Sequence, residues 1–319
     1  MSESRTYTRP IISVVISPRS DDDRQNLQRA LSDLAQQDPS IIIKTESLER
    51  QTTISGMGEL HLEVICDRIV HEYQVGIDIG EAKVIYLETI RKPAEGEGKY
   101  IRQTGGRGQY AHVKLRLEPR ELGSGYQFVD GIKAGAVLSE FVEPVNLGIQ
   151  EAMKAGILAG REMVDLRAVL YDGSYHLEDS NEMTFKIAGS LAFTEAARKA
   201  APIVLEPVMS LEVIAPENFV GSIIADLSEH RGRIESMAQR DGSQLINAIV
   251  PLAEIIGYAT RLRSITQGRA EYSTHFAGYE SAPRGGESGP YTGGVTAYKP
   301  KGPTLRSGFA AAKLDPQSE

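Results

Sequence analysis

Tryptophan is absent from the 319 residues, and cysteine occurs once, at position 66. A single thiol excludes a disulfide framework and a cysteine-rich zinc site, and it suits a reducing cytosol. Aromatics make up only 6% of the chain. No run approaches the ~18 apolar residues that a spanning helix needs, so no membrane helix is expected. Residues 1–10 carry no apolar stretch and do not read as a secretory signal. Basic residues are outnumbered, 35 to 43, for a net charge of −8. A pI near 5.4 argues at face value against a nucleic-acid binder. The length alone suggests about two domains of ~150 residues.

The order of elements suggests three. Residues 11–17 alternate as a strand closed by Pro18, and Ser20 with Asp21, Asp22 and Asp23 opens a helix. Leu27, Ala30, Leu31 and Leu34 recur on one face of that helix. The three aspartates suit the positive end of a helix dipole better than a metal site. Strands at 41–45 and 51–55, a helix at 58–73 and a strand at 75–79 complete a βαββαβ order, the split β-α-β or ferredoxin-like unit. The same order returns as strand 208–214, helix 217–228, strands 233–237 and 244–250, helix 252–263 and strand 270–276. Between the two lie early strands at 84–89, 98–103 and 109–118, a helix at 142–155, a strand at 164–171 and a helix at 182–200. From 281 onward, seven glycines and five prolines with few large apolar side chains predict a solvated tail.

Charge is segregated along the chain. The first 90 residues hold 15 acids against nine bases, whereas 91–116 hold seven bases against Glu95 and Glu97. Inside the basic stretch lies Gln103-Thr-Gly-Gly-Arg-Gly-Gln-Tyr110. Gly105, Gly106 and Gly108 permit close backbone approach, Arg107 suits a phosphate or a base face, and Gln103 and Gln109 both donate and accept. A plain hairpin tip is the competing reading, because Gly105 to Gly108 match the four-letter KH clamp only weakly and no Walker phosphate loop occurs. A second polar loop displays Ser174, Tyr175 and His176, with Asp179 read as a helix N-cap paired with Glu182. Ser174, His176 and Asp179 also supply hydrolase residue types, although not on a nucleophile elbow. His61 and Glu63 read as a helix-surface pair, and Cys66 as a small buried hydrophobe. Arg261, Arg263 and Arg269 read either as a helix-end effect or as a phosphate-contacting patch.

Several longer strings resemble bacterial elongation factor G: Ile54 to Glu63 (ISGMGELHLE), Ile101 to Tyr110 (IRQTGGRGQY), Leu170 to His176 (LYDGSYH), Phe185 to Ser190 (FKIAGS) and Pro251 to Thr260 (PLAEIIGYAT), the last followed by Arg263-Ser-Ile-Thr-Gln-Gly268. They occur in family order from about residue 10 to 276 and cover the third, fourth and fifth domains. The resemblance implies an α+β chain. Two ferredoxin-like split β-α-β domains, 10–81 and 206–278, flank a ribosomal-protein-S5-domain-2-like tip domain, 82–205, with a lead at 1–9 and a tail at 279–319.

It also implies function. The family uses GTP to move tRNA and mRNA through the ribosome, and its fourth domain reaches the decoding centre. Gln103, Gly105, Gly106, Arg107, Gly108 and Gln109 match the first tip loop; Ser174, Tyr175 and His176 match the second. Ser55, Gly56, Met57 and Gly58 match the segment that faces the nucleotide-binding domain and small-subunit rRNA. Arg261 and Arg263 are candidates for rRNA contact near the GTPase-associated centre. Neither a Walker motif nor an Asn-Lys-x-Asp string is present, so this chain is expected to hold no cofactor. GTP and Mg would belong to an N-terminal domain of the full-length factor. The expected partner is the ribosome, met by a cytoplasmic monomer. The alternatives are a motorless or paralogous ribosome factor, acting in recycling or ribosomal protection, and a hydrolase using Ser174, His176 and Asp179.

Overall fold

The computed structural model describes residues 9–46, 51–103, 108–133, 135–240 and 242–283. Two compact units result, one ending at Lys83 and the other starting at Val84. In the first, β1 (Ile12–Pro18), α1 (Asp21–Gln37), β2 (Ile42–Glu46), β3 (Gln51–Gly56), α2 (Glu59–His71) and β4 (Ile77–Ile79) follow the expected order. Their strands lie as β2-β3-β1-β4, and β5 (Lys83–Val84) adds a short pairing to β1. This is the ferredoxin-like sheet.

Local chemistry explains the elements. Ser20 caps α1 by accepting from Asp23 N at 3.1 Å. The Asp23 carboxylate is occupied in turn by the Ser20 hydroxyl at 2.6 Å and Gly76 N at 2.8 Å. It therefore ties the helix start to the approach to β4. Leu27, Ala30, Leu31 and Leu34 are buried, as their spacing predicts. Cys66 is buried with Leu62, Ile65 and Ile69 on the inner face of α2. Burial, aided by Asp67 and Glu63, pushes its thiol pKa up to about 12, which leaves it an unreactive packing group.

The second unit holds two sheets. The middle one is built from β7 (Ala94–Arg102), β8 (Gln109–Pro119), β9 (Gln127–Asp130) and β10 (Leu166–Ser174), with α3 (Ser139–Ala155) and α4 (Glu182–Lys199). Its strand order is β7-β8-β10-β9. β10 runs parallel to β9, a four-residue strand that the sequence pattern did not announce, and antiparallel to β8. Helices cover one face only. Gly96 and Gly98 let α4 sit directly on β7: a Cβ at Gly98 would lie 1.9 Å from the Ala188 carbonyl oxygen, and one at Gly96 2.3 Å from that of Ala192.

The final sheet contains β11 (Pro202–Pro216), β12 (Arg233–Arg240), β13 (Ser243–Pro251) and β14 (Glu271–Ser281), in the order β12-β13-β11-β14. Counted from β11, this repeats the strand order of the first unit. Its helices are α5 (Val220–Glu229), preceded by a 3₁₀ turn at Glu217–Phe219, then α6 (Leu252–Ile255) and α7 (Tyr258–Thr266). The single helix expected at 252–263 is thus two, broken where Gly257 takes φ +73°.

One strand changes sides. The segment expected at 84–89 as an early strand of the middle domain yields β6 (Leu87–Ile90), which pairs with β11 over Pro202–Leu205. All four of its residues are buried, and Leu87 packs with Val164 and Leu205. The expected boundary at 205/206 falls inside β11, and residues 279–281 belong to β14 rather than to the tail. The rest of the expected tail, from 284, and most of the lead, 1–8, lie outside the described residues. Among the described residues no helix is long and apolar enough to cross a membrane.

Candidate nucleic-acid interface

The tip of the middle sheet forms where β7 ends at Arg102, β8 begins at Gln109 and β10 ends at Ser174. Gly105, Gly106 and Arg107 lie outside the described residues. Gln103 is exposed. Gln109 is half-buried and its side-chain oxygen accepts from the Tyr100 hydroxyl at 3.2 Å. Gly108 packs on the second loop, since a Cβ there would meet the Asp179 carboxylate at 2.8 Å.

Hydrogen bonds clasp the second loop to the start of β8. Tyr110 N donates to the Asp179 carbonyl at 2.9 Å. The Ser180 hydroxyl donates to the Tyr110 carbonyl at 2.7 Å and accepts from His176 N at 2.9 Å. Ser180 N donates to the His176 carbonyl at 3.0 Å. The second loop is therefore held against the start of β8, about 70 positions away, as the Ser180–Tyr110 bond spans.

Only part of the expected second loop faces outward. His176 is exposed and its Nδ1 lies 3.4 Å from the Asp179 carboxylate. Tyr175 instead packs against the domain core, its ring 6.5 Å from that of Phe141. Ser174 ends β10 rather than sitting in a loop. Its hydroxyl is bonded to the Tyr110 hydroxyl at 2.7 Å and His112 Nδ1 at 3.1 Å. A β-bulge at Leu170/Asp172 causes this. The extra residue shifts the alternation, so Asp172 and Ser174 stand opposite Lys114 and His112 on the helix-free face. The hydrolase arrangement of Ser174, His176 and Asp179 is not assembled, because the Ser174 hydroxyl is taken by Tyr110 and His112. Asp179 is not the N-cap of α4 either. Asn181 is, in a reciprocal capping box with Thr184.

Part of the basic stretch is neutralised by its neighbours. Lys114 meets Asp172 at 2.9 Å, and Arg116 and Arg167 share Glu118. The hydrogen bond between Lys114 and Asp172 raises the lysine pKa and lowers that of the aspartate. Lys99 and Arg102, exposed near the tip end of β7, have no ion-pair partner among the described residues. These two side chains leave uncompensated positive charge near the tip, which linear charge counting could not resolve.

Of the other candidates, Arg261 is committed internally. It pairs with Asp226 at 3.1 Å, donates to the Glu254 carbonyl at 2.9 Å and lies 5.2 Å from the Tyr258 ring centroid. Arg263 is exposed. In the first unit, Ser55 and Gly56 are buried at the end of β3, while Met57 and Gly58 are half-buried in the turn to α2. His61 braces that turn. Its Nδ1 accepts from Met57 N at 3.1 Å, so Nε2 carries the proton that meets Asp38 at 2.9 Å. No local pattern announced Asp38 as the partner, 23 residues away.

Comparisons with known proteins fit this architecture. The family model for elongation factor G domain III matches residues 7–81, that for domain IV residues 82–201, and that for the elongation factor G C-terminus residues 203–285. A crystal structure of a protein from Thermus thermophilus is similar at 40% identity and a TM-score of 0.66, covering 87% of this chain and 41% of that one. The chain thus spans less than half the length of that relative. With domains III, IV and the C-terminal domain in family order, the chain belongs to the elongation factor G family.

Proposed function

We propose that this chain is the ribosome-binding arm of a translocation factor, and that its tip meets the tRNA–mRNA duplex in the decoding centre. The clasped tip carries the reading: the second loop is fixed to the start of β8, with exposed His176 and the uncompensated Lys99 and Arg102 at the same end of the sheet. Imidazole and glutamine amide groups reach 2′-hydroxyls across a wide RNA minor groove. Lysine and arginine meet phosphates without reading sequence. Recognition by shape suits a factor that serves every codon.

Gln103, Gln109, His176, Lys99 and Arg102 are the proposed contacts, together with Gly105, Gly106 and Arg107 of the first loop. Ser174 and Tyr175 support them from within. The turn at Ser55–Gly58 is assigned to contact with the nucleotide-binding domain and rRNA, and Arg263 to rRNA docking. GTP and Mg are assigned to another domain of the whole factor, in the cytoplasm.

Binding of the labelled chain to 70S ribosomes across a salt series tests the reading. Affinity falls steeply with salt, and Lys99→Ala/Arg102→Ala reduces the log–log slope by about 1–2. A flat salt profile overturns it. In the full-length factor, Arg107→Ala or His176→Ala slows translocation while GTP hydrolysis stays near normal; equal loss of both refutes the separation of roles.

A further inference from the structure

Resting on the tip reading above, we infer that Ser180 is a positioning residue, which holds the second tip loop to the start of β8 and sets the placement of His176 without touching RNA itself. A hydroxyl has one proton and two lone pairs. The Tyr110 carbonyl can only accept and His176 N–H can only donate, so the Ser180 proton goes to Tyr110 at 2.7 Å and a lone pair takes His176 N at 2.9 Å. Its own N–H returns to the His176 carbonyl at 3.0 Å. One side chain thereby fixes the backbone of the exposed histidine against the root of the first loop.

Thr184 Oγ1 also reaches the Tyr110 carbonyl, at 3.3 Å, but bonds its own helix start at the Asn181 carbonyl and not residues 175–178. This division separates positioning from folding. In Ser180→Ala water can reach both the carbonyl of half-buried Tyr110 and the N–H of exposed His176, so no fully buried group is orphaned. What is lost is the fixed placement of His176. The ordering of that loop must then occur on binding, at a cost in affinity of about three- to ten-fold.

A double-mutant cycle on the full 319-residue chain tests this, read as affinity for 70S ribosomes. Ser180→Ala is expected to weaken binding about three- to ten-fold, with a melting temperature within about 4 °C of the parent. Ser180→Thr restores the affinity. Combined with His176→Ala, Ser180→Ala adds no further loss, because it acts through that residue. Additive losses, or a silent Ser180→Ala beside a damaging His176→Ala, overturn the inference alone. A larger fall in melting temperature assigns Ser180 to folding and also overturns it. A silent His176→Ala overturns the tip reading and the inference with it.

Discussion

Glu88 has no exposed surface, and its carboxylate accepts from four backbone N–H groups, those of Ile157, Leu158, Ala159 and Arg161, at 2.7–3.1 Å. Glu88→Ala should destabilise the second unit by about 3 kcal/mol or more, because charge-assisted bonds are lost and donors are left without an acceptor. Thermal unfolding checks this, and an unchanged midpoint would show that the loop finds other partners. Glycines offer a paired test. Gly98→Ala drives a methyl into the α4 backbone and should cost about 3 kcal/mol. Gly221→Ala meets nothing within 4 Å and should stabilise by about 0.5 kcal/mol through lower chain entropy. Urea titration separates the two by sign. Sequence showed none of these residues to be special, because an acceptor's donors and a glycine's neighbours lie far along the chain.

Elements were more legible. The 3.6-residue period placed the buried face of α1, and Ser20 marked its start, since both signals are local. The cap of α4 was displaced by two residues. Asp, Ser and Asn at 179–181 all suit an N-cap, and the choice depends on Ser180 being drawn to Tyr110. Asn181→Ala should therefore cost about 1 kcal/mol, while Asp179→Ala leaves the cap intact; amide exchange at Thr184 distinguishes them. Acid sensitivity belongs at this scale too. The Ser20 side chain lowers the pKa of Asp23, and the Ser40 side chain that of Asp38. Each carboxylate binds its proton less readily when folded, so its stabilisation is present above the ordinary carboxylate range, near pH 4. It is lost as pH falls through the lower folded-state value. Asp23→Asn should flatten part of that acid-side decline, followed by circular dichroism; an unchanged slope would place the titration elsewhere.

For the whole molecule, strand β6 decides how the second unit holds together. It lies at the start of the middle domain's segment yet is a strand of the final sheet, and Arg91 reaches the Ser281 hydroxyl at 2.9 Å. Leu205→Ala should lower hydrogen-exchange protection in β6 and β11 together, by about 2–5 kcal/mol. Loss confined to β11 would contradict their shared opening. Periodicity, capping residues and familiar strings determined the α+β class, both βαββαβ orders and the family, because each is written in neighbouring residues. Tertiary structure alone decided the partner of β6, the outward turn of Ser174 and Asp172 at the bulge, the neutralisation of Lys114 and Arg116, and the clasp at Ser180. Pairing, register and charge compensation are relations between residues tens of positions apart, and no local signal encodes them.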